Sequence, residues 1–256
     1  MSISIQKANF WKRVSAWLVD VVLTIVLSMA FALGTSSILN YEKIYNEYSA
    51  IVTEYEKEFG ITLDQEEYDK LSETDKKAYD AKQQEMDVAL SKNEKAMSLR
   101  SALSSLIFTI VAISLSLSIL VAHFIIPLFF KDGKTLGKKV FGLAVIRTNG
   151  VKLSTPVLFA RSIVGLLAIE TLAVMLLCTM GIAGKNIIAL IAALGVQILQ
   201  VFVMLKTPHR ASIHDLLADT VVVDFASQRI FESQEELLAA IAEEQAKEAA
   251  EAPYCN

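Results

Sequence analysis

The chain has 256 residues, 54% of them hydrophobic and 20% charged, with a formal net charge of −4 and a mean hydropathy of +0.45. Apolar usage above the roughly 45–50% of soluble domains is gathered into long segments, which argues for membrane spans rather than one large soluble core. Modest aromatic content and few glycines argue against a β-barrel or a low-complexity chain, and two cysteines, Cys178 and Cys255, give neither a disulfide framework nor a structural metal site.

The N-terminal stretch Met1–Asn9 is too polar for the apolar part of a signal peptide and no small-residue cleavage site follows the first apolar run, so that run reads as retained. It covers about Val14–Leu39. Further runs cover about Ala102–Phe130, Val157–Ile182 and Asn186–Leu205. Each meets the roughly 20 residues that cross a 30 Å hydrocarbon core, and the last two are joined by a tight Gly181–Lys185 connection that suits antiparallel neighbours. Between the first two runs, Tyr41, Ile44, Tyr48, Ile51 and Tyr55 recur at a helical period. Gly60 breaks that period, and Thr74 is placed to cap a second helix. A helical hairpin over residues 41–100 is expected.

Lys139–Arg147 is β-branched in its second half and is followed by Thr148-Asn149-Gly150, the strongest hairpin-turn signal in the chain. Thr220–Asp224 is a second β-prone run, and a small sheet pairing the two is expected. The Ala- and Glu-rich tail from about Gln228 to Glu251 reads as a soluble helix with an apolar stripe at Leu237, Leu238 and Ile241.

Lysines and arginines flank one end of every span, while the segment between the first two spans is rich in Asp and Glu. The positive-inside rule puts both termini in the cytoplasm. The expected fold class is therefore an all-α membrane protein with four transmembrane helices, N-in and C-in. An extracytoplasmic helical hairpin lies between helices 1 and 2, and a small β-element lies at the cytoplasmic interface. The expected division is a transmembrane domain over 8–40 and 101–224, a hairpin insertion over 41–100 and an acidic cytoplasmic tail over 225–256.

Polar residues inside the runs carry the functional argument, since a charge at the centre of a span costs about 2.5–3.5 kcal/mol on insertion scales. Arg13 and Asp20 are two helical turns apart, about 10 Å along the axis, and cannot touch. Arg161 enters the third span to a depth like that of Asp20 in the first, so an Asp20–Arg161 bridge is the expected neutralising pair. Glu170 has no lysine or arginine at matching depth. Protonation, with a hydrogen bond to Gln197 or a serine, would neutralise it, which is also how a proton-coupled carboxylate behaves. His123 reads as a satisfied histidine, and Gln197 and Gln200 as interhelical glue. Lys131, Lys134, Lys138 and Lys139 fit contact with anionic lipid headgroups. Their Gly133-Lys134-Thr135 lacks the spacing of a P-loop. No catalytic constellation appears, His209 and His214 are poorly spaced for zinc, and neither enzyme activity, a cofactor nor a nucleic-acid partner is expected.

Arg13, Asp20, the Gly133-Lys134-Thr135-Leu136-Gly137-Lys138-Lys139 run with Gly142–Val145 and Gly150, and Ile213–Val221 together resemble the RDD family of bacterial membrane proteins. The resemblance covers about residues 8–40 and 101–224. It implies that Asp215 is the family's second aspartate, that Arg161 is the arginine usual in the next helix, and that Asp219 stands where a glycine is common. It also implies a multi-pass protein of the plasma membrane and, for some members, exchange of monovalent cations for protons. Beside the resemblance, Asp215 is placed to cap the Val221–Val223 run or to accept Arg13. Two readings stay open. One is an oligomeric transporter using Asp20, Glu170 and Asp215, with Arg13 and Arg161 as counter-charges. The other is a scaffold or envelope-assembly factor whose hairpin binds a protein partner.

Overall fold

The computed structural model describes residues 6, 8–130, 133–182, 184–207 and 210–251. Four helices are long and apolar enough to cross a membrane: α1 (Phe10–Ile38), α5 (Glu94–Phe130), α7 (Thr155–Ile182) and α8 (Ile187–Lys206). Between α1 and α5 come α2 (Tyr41–Phe59), α3 (Gln65–Asp69) and α4 (Glu73–Lys92). The later polar segments give α6 (Leu136–Val140), β1 (Leu143–Arg147), α9 (Ile213–Leu217), β2 (Thr220–Asp224) and α10 (Gln234–Glu251). At 1.5 Å per residue the 37 residues of α5 run about 55 Å, well beyond a hydrocarbon core of about 30 Å.

The contacts divide the chain into two compact units, Met29–Ser114 and the remainder, Met1–Ser28 with Leu115–Asn256. In the first unit the expected helical hairpin forms. Gly60 ends α2 in the left-handed conformation (φ 70°), which a residue without Cβ adopts freely, and its amide returns to the carbonyls of Glu56 and Lys57. Asp64 caps α3 in a capping box with Glu67. The cap of α4 is Ser72, whose side chain accepts the Asp75 amide, and not Thr74, which lies inside the first turn. The periodicity located the helix, but the capping hydroxyl must sit outside the helical φ/ψ region. Met86 and Leu90 are the buried face of α4, and Asn93 donates to the Tyr55 hydroxyl at 3.2 Å to close the hairpin.

In the second unit β1 and β2 pair antiparallel, Leu143 opposite Asp224 through Arg147 opposite Thr220, as their β-branched character suggested. The Thr148–Gly150 turn follows β1, with Gly150 at φ 87° and its amide on the Arg147 carbonyl at 2.9 Å. Leu143, Val145 and Val222 on one face of the sheet join Ala8 and Ala16 in a buried cluster, so the sheet is anchored to the start of α1. Ala144, Ile146, Val221 and Val223 fill the other face with Ile230. The tail helix begins at Gln234 rather than near Gln228. Leu237 is buried against Val151 and Phe231 with Ile241 beside them, while Leu238 faces out.

Two spanning helices widen into π-helical backbone, at Leu120–Ile125 in α5 and Ala160–Leu172 in α7. Hydropathy carries no trace of this. A π turn changes which carbonyls are free to accept, and such turns occur often at functional sites. Here Ser162 donates to the His123 carbonyl at 2.6 Å, tying one widened segment to the other.

Candidate functional site

All the charged residues singled out within the spans lie in or against the second unit, and its two short helices bring them together. The first is α6. Thr135 caps it, accepting the Lys138 amide, and Gly137 lies flat against α1. A Cβ on Gly137 would sit 2.1 Å from the Ala16 carbonyl oxygen and 2.9 Å from Asp20 Oδ1. Only glycine fits there, which gives the second glycine of the Gly-Lys-Thr-Leu-Gly run its physical reason. Asp20, 2% exposed, then accepts the Gly137 amide at 2.8 Å and the Thr135 hydroxyl, with Lys138 Nζ at 3.8 Å. The carboxylate thus satisfies an N-terminal amide that α6 itself cannot.

The second is α9, capped by Ser212 in a capping box with Asp215. It lies against the π-helical segment of α7 where Gly165 leaves room. A Cβ on Gly165 would be 2.6 Å from His214 Cβ and 2.9 Å from its Cα. Glu170 accepts the His214 backbone amide at 2.7 Å, the His214 ring at Nδ1 (3.0 Å) and the Gln200 amide at 2.8 Å. Asp215 accepts Arg161 through Nε and Nη2, both at 2.8 Å, and the Ser212 hydroxyl at 2.7 Å. Arg13 Nη2 stands 3.9 Å from its second oxygen, and the Thr220 hydroxyl donates at 3.3 Å.

The expected Asp20–Arg161 bridge does not form. Both residues are buried, but depth along two helices does not decide which elements come between them. α6 occupies Asp20 and α9 occupies Arg161. Nor does the expected bond from Glu170 to Gln197 or a serine form; its partner on α8 is Gln200, three residues further on. Asp215 does receive Arg13, as its position suggested, and bonds the first residue of β2 through Thr220.

Of the four lysines assigned to lipid, Lys131 lies outside the described residues. Lys134 is turned inward over the Phe225 ring at 3.2 Å, and Lys138 turns toward Asp20. Lys139 is exposed, its ammonium over Phe130 at 3.9 Å. Burial pushes the Lys138 ammonium down to about 8, with Arg161 pushing the same way and Asp20 opposing. For Asp215, burial works toward a higher value but is outweighed by the Arg161 guanidinium and the Ser212 hydroxyl, which hold the carboxyl well below the usual range.

His214 carries the connection that sequence reasoning missed. Its Nε2 lies 3.2 Å from Arg161 Nη2. Arginine only donates, so Nε2 is the acceptor and the ring proton sits on Nδ1, directed at Glu170. Arg13, Asp215, Arg161, His214, Glu170 and Gln200 therefore form one continuous polar chain across four segments. The single signal for His214 in the sequence was its place beside Asp215. Gly165 had none, because a glycine in an apolar helix reads as packing until its neighbour is known. Among the described residues no cluster of three His, Cys, Asp or Glu side chains is arranged to hold a metal ion.

The RDD family model matches residues 7–219 of the chain, most of its length, and the protein belongs to the RDD family. No significant match was found among curated proteins or among solved structures.

Proposed function

We propose that this RDD-family membrane protein sits in a bacterial plasma membrane with both termini in the cytoplasm and exchanges protons for a monovalent cation at Glu170. The orientation is supported by charge. Residues 41–100 hold 15 acidic and 9 basic side chains, whereas Lys12, Arg13, Lys134, Lys138, Lys139, Lys206 and Arg210 gather at the other ends of the spans, as the positive-inside rule asks of a cytoplasmic face. One observation carries the choice of Glu170. Asp20 and Asp215 are tied to lysine and arginine and serve as fixed anchors. The donors on Glu170 are a backbone amide, a neutral imidazole and a carboxamide. A carboxylate held by neutral donors can trade a proton for a cation without stranding a buried positive charge.

The test is proton flux in proteoliposomes with an internal pH dye, adding sodium, potassium or lithium outside. Flux should be present in the wild type and lost in Glu170→Gln, with the variant shown to be folded and inserted. Flux that survives Glu170→Gln rules out this site. Absence of flux with every cation sinks the exchange reading.

A scaffold is favoured by a different observation. Met29–Ser114 is a compact unit in its own right and exposes Tyr45, Val88 and Met97, a surface that suits a protein partner outside the membrane. Deleting residues 45–95 separates the two readings, since exchange would survive the deletion and a scaffold role would not.

A further inference from the structure

α8 carries two glutamines with opposite surroundings. Gln200 points into the bundle and donates to Glu170 at 2.8 Å. Gln197, three residues earlier, is exposed, and among the described residues it has no hydrogen-bond partner. It stands at the middle of a 20-residue apolar helix, with about 14–15 Å of helix on either side. A carboxamide without a hydrogen bond is costly in hydrocarbon, and glutamines within spans characteristically bond across to another helix. Among the described residues no helix of this chain takes that role for Gln197.

The neighbours of Gln197 supply the rest of a contact surface. Ile187, Leu190, Leu194, Gln197, Val201 and Met204 follow one another at alternating steps of three and four residues, the pattern that lays a left-handed packing seam along one side of a helix. The seam lies beside the side that the chain itself covers, where Ala189 and Ala193 are buried. Ile187, Leu194 and Val201 are each more than half exposed, and Leu190 and Met204 are partly buried at the margin.

Lipid chains can cover the apolar members of this seam, but they offer the carboxamide nothing. A second copy of the chain offers what it lacks. Copies inserted in one membrane share an orientation, so a two-fold axis along the membrane normal brings each Gln197 against its counterpart at equal depth. A carboxamide has N–H donors and an acceptor oxygen, so the pair bonds reciprocally. One polar residue in an apolar seam also fixes register, because any slip sets it against an apolar side chain.

We propose that α8 is a homodimerisation surface, with two copies packed along the Ile187–Met204 seam and their Gln197 carboxamides hydrogen-bonded to each other. The inference goes beyond ion exchange and does not depend on it, since Gln200 and Glu170 stay inside each copy.

Energy transfer between full-length copies in liposomes tests it, with donor or acceptor dye on Cys255 and Cys178 replaced by serine. On dilution in lipid, the wild type should keep its transfer to a protein-to-lipid ratio about fivefold or more below that at which Gln197→Leu loses it. Leucine suits an exposed position in a span, so this variant should fold, and Gln197→Asn, which keeps a carboxamide, should recover part of the difference. Oxidative cross-linking places the contact. With Cys178 and Cys255 both replaced by serine, Leu194→Cys and Val201→Cys should form disulfide-linked dimers. Leu199→Cys should not, although Leu199 is also about half exposed, because it faces away from Gln197 across the helix. A wild type that is monomeric at every dilution would leave lipid as the cover of this face and overturn the proposal. So would equal dilution behaviour in wild type and Gln197→Leu, or cross-linking at Leu199→Cys as strong as at the seam.

Discussion

α6 and α9 solve the same problem twice and differ in one respect. Each is a five-residue helix with a hydroxyl residue at its N-cap, Thr135 or Ser212. Each lies against a spanning helix at a glycine contact, Gly137 or Gly165. In each, a carboxylate from that spanning helix takes the amide of the second helical residue: Asp20 that of Gly137 at 2.8 Å, Glu170 that of His214 at 2.7 Å. The capping carboxylate of α6 also has an ammonium, Lys138, while that of α9 has an imidazole and a carboxamide. The lesson is that a buried carboxylate is not by itself an ion site. Both cap a docked helix, and only the company each keeps, an ammonium for Asp20 and a carboxamide and imidazole for Glu170, tells the two joints apart.

The largest blow to the α9 joint should come from Arg161→Met, which leaves Asp215 buried without its main partner. Breaking a buried pair this way costs about 3–5 kcal/mol. The thermal midpoint in detergent should fall accordingly, and Arg161→Met with Asp215→Leu should recover part of the loss. A single variant as stable as the wild type would mean that Asp215 is held by Arg13 and Ser212 alone.

Filling the two glycine contacts compares the joints directly. Gly137→Ala drives a methyl into a backbone carbonyl, and the helix cannot retreat without losing Asp20, so about 3 kcal/mol or more is expected. Gly165→Ala meets His214, whose short helix can shift, and about 1–3 kcal/mol is expected. Equal costs would mean that the short helix against Gly165 is held as rigidly as the one that carries Gly137.

Lys138 marks the difference between the capping carboxylates and gives it a pH signature. Its ammonium titrates near 8 when folded against an ordinary 10.5. Between those values the unfolded chain holds the extra proton, so stability should rise as pH climbs from about 8 to about 10. The rise should be absent in Lys138→Gln, as followed by thermal unfolding across that range. A wild type whose stability is flat over the window would place the ammonium in water instead.

The spans, the hairpin between the first two, the strand pair and the turn at Gly150 were all legible, because hydropathy length, period and turn chemistry are local signals. Arg13, Asp20, Arg161 and Glu170 were also legible, since a charge inside or at the edge of an apolar run stands out in any sequence. Their pairing was not. Asp20 and Arg161 look matched when only span depth is counted, yet each is claimed by a short helix more than fifty residues away in sequence. Thr135 and Gly137 stood in plain view as part of a basic loop. Their role depends on a carbonyl of α1 that no local pattern reports. Lys134 and Lys138 read as lipid contacts because lysines beside a span usually are, and burial reversed that.

Asp219 offers the finest test of this division between local and tertiary signals. It occupies the left-handed region at φ 52°, where the resemblance to the family suggests glycine, and its carboxylate accepts the Thr148 hydroxyl at 2.6 Å. Left-handed backbone costs an L-residue about 1–2 kcal/mol, less for Asp, while the hydrogen bond is worth about 1 kcal/mol. Asp219→Gly should therefore change stability by less than about 0.5 kcal/mol in the wild-type background. In Thr148→Val, where the bond is already gone, the same substitution should stabilise by about 1 kcal/mol. The two backgrounds form a double-mutant cycle whose coupling reads the Thr148 bond directly. A coupling of zero would mean that the turn after α9 is set by backbone alone, and that Asp219 holds its place without help from the turn that follows β1.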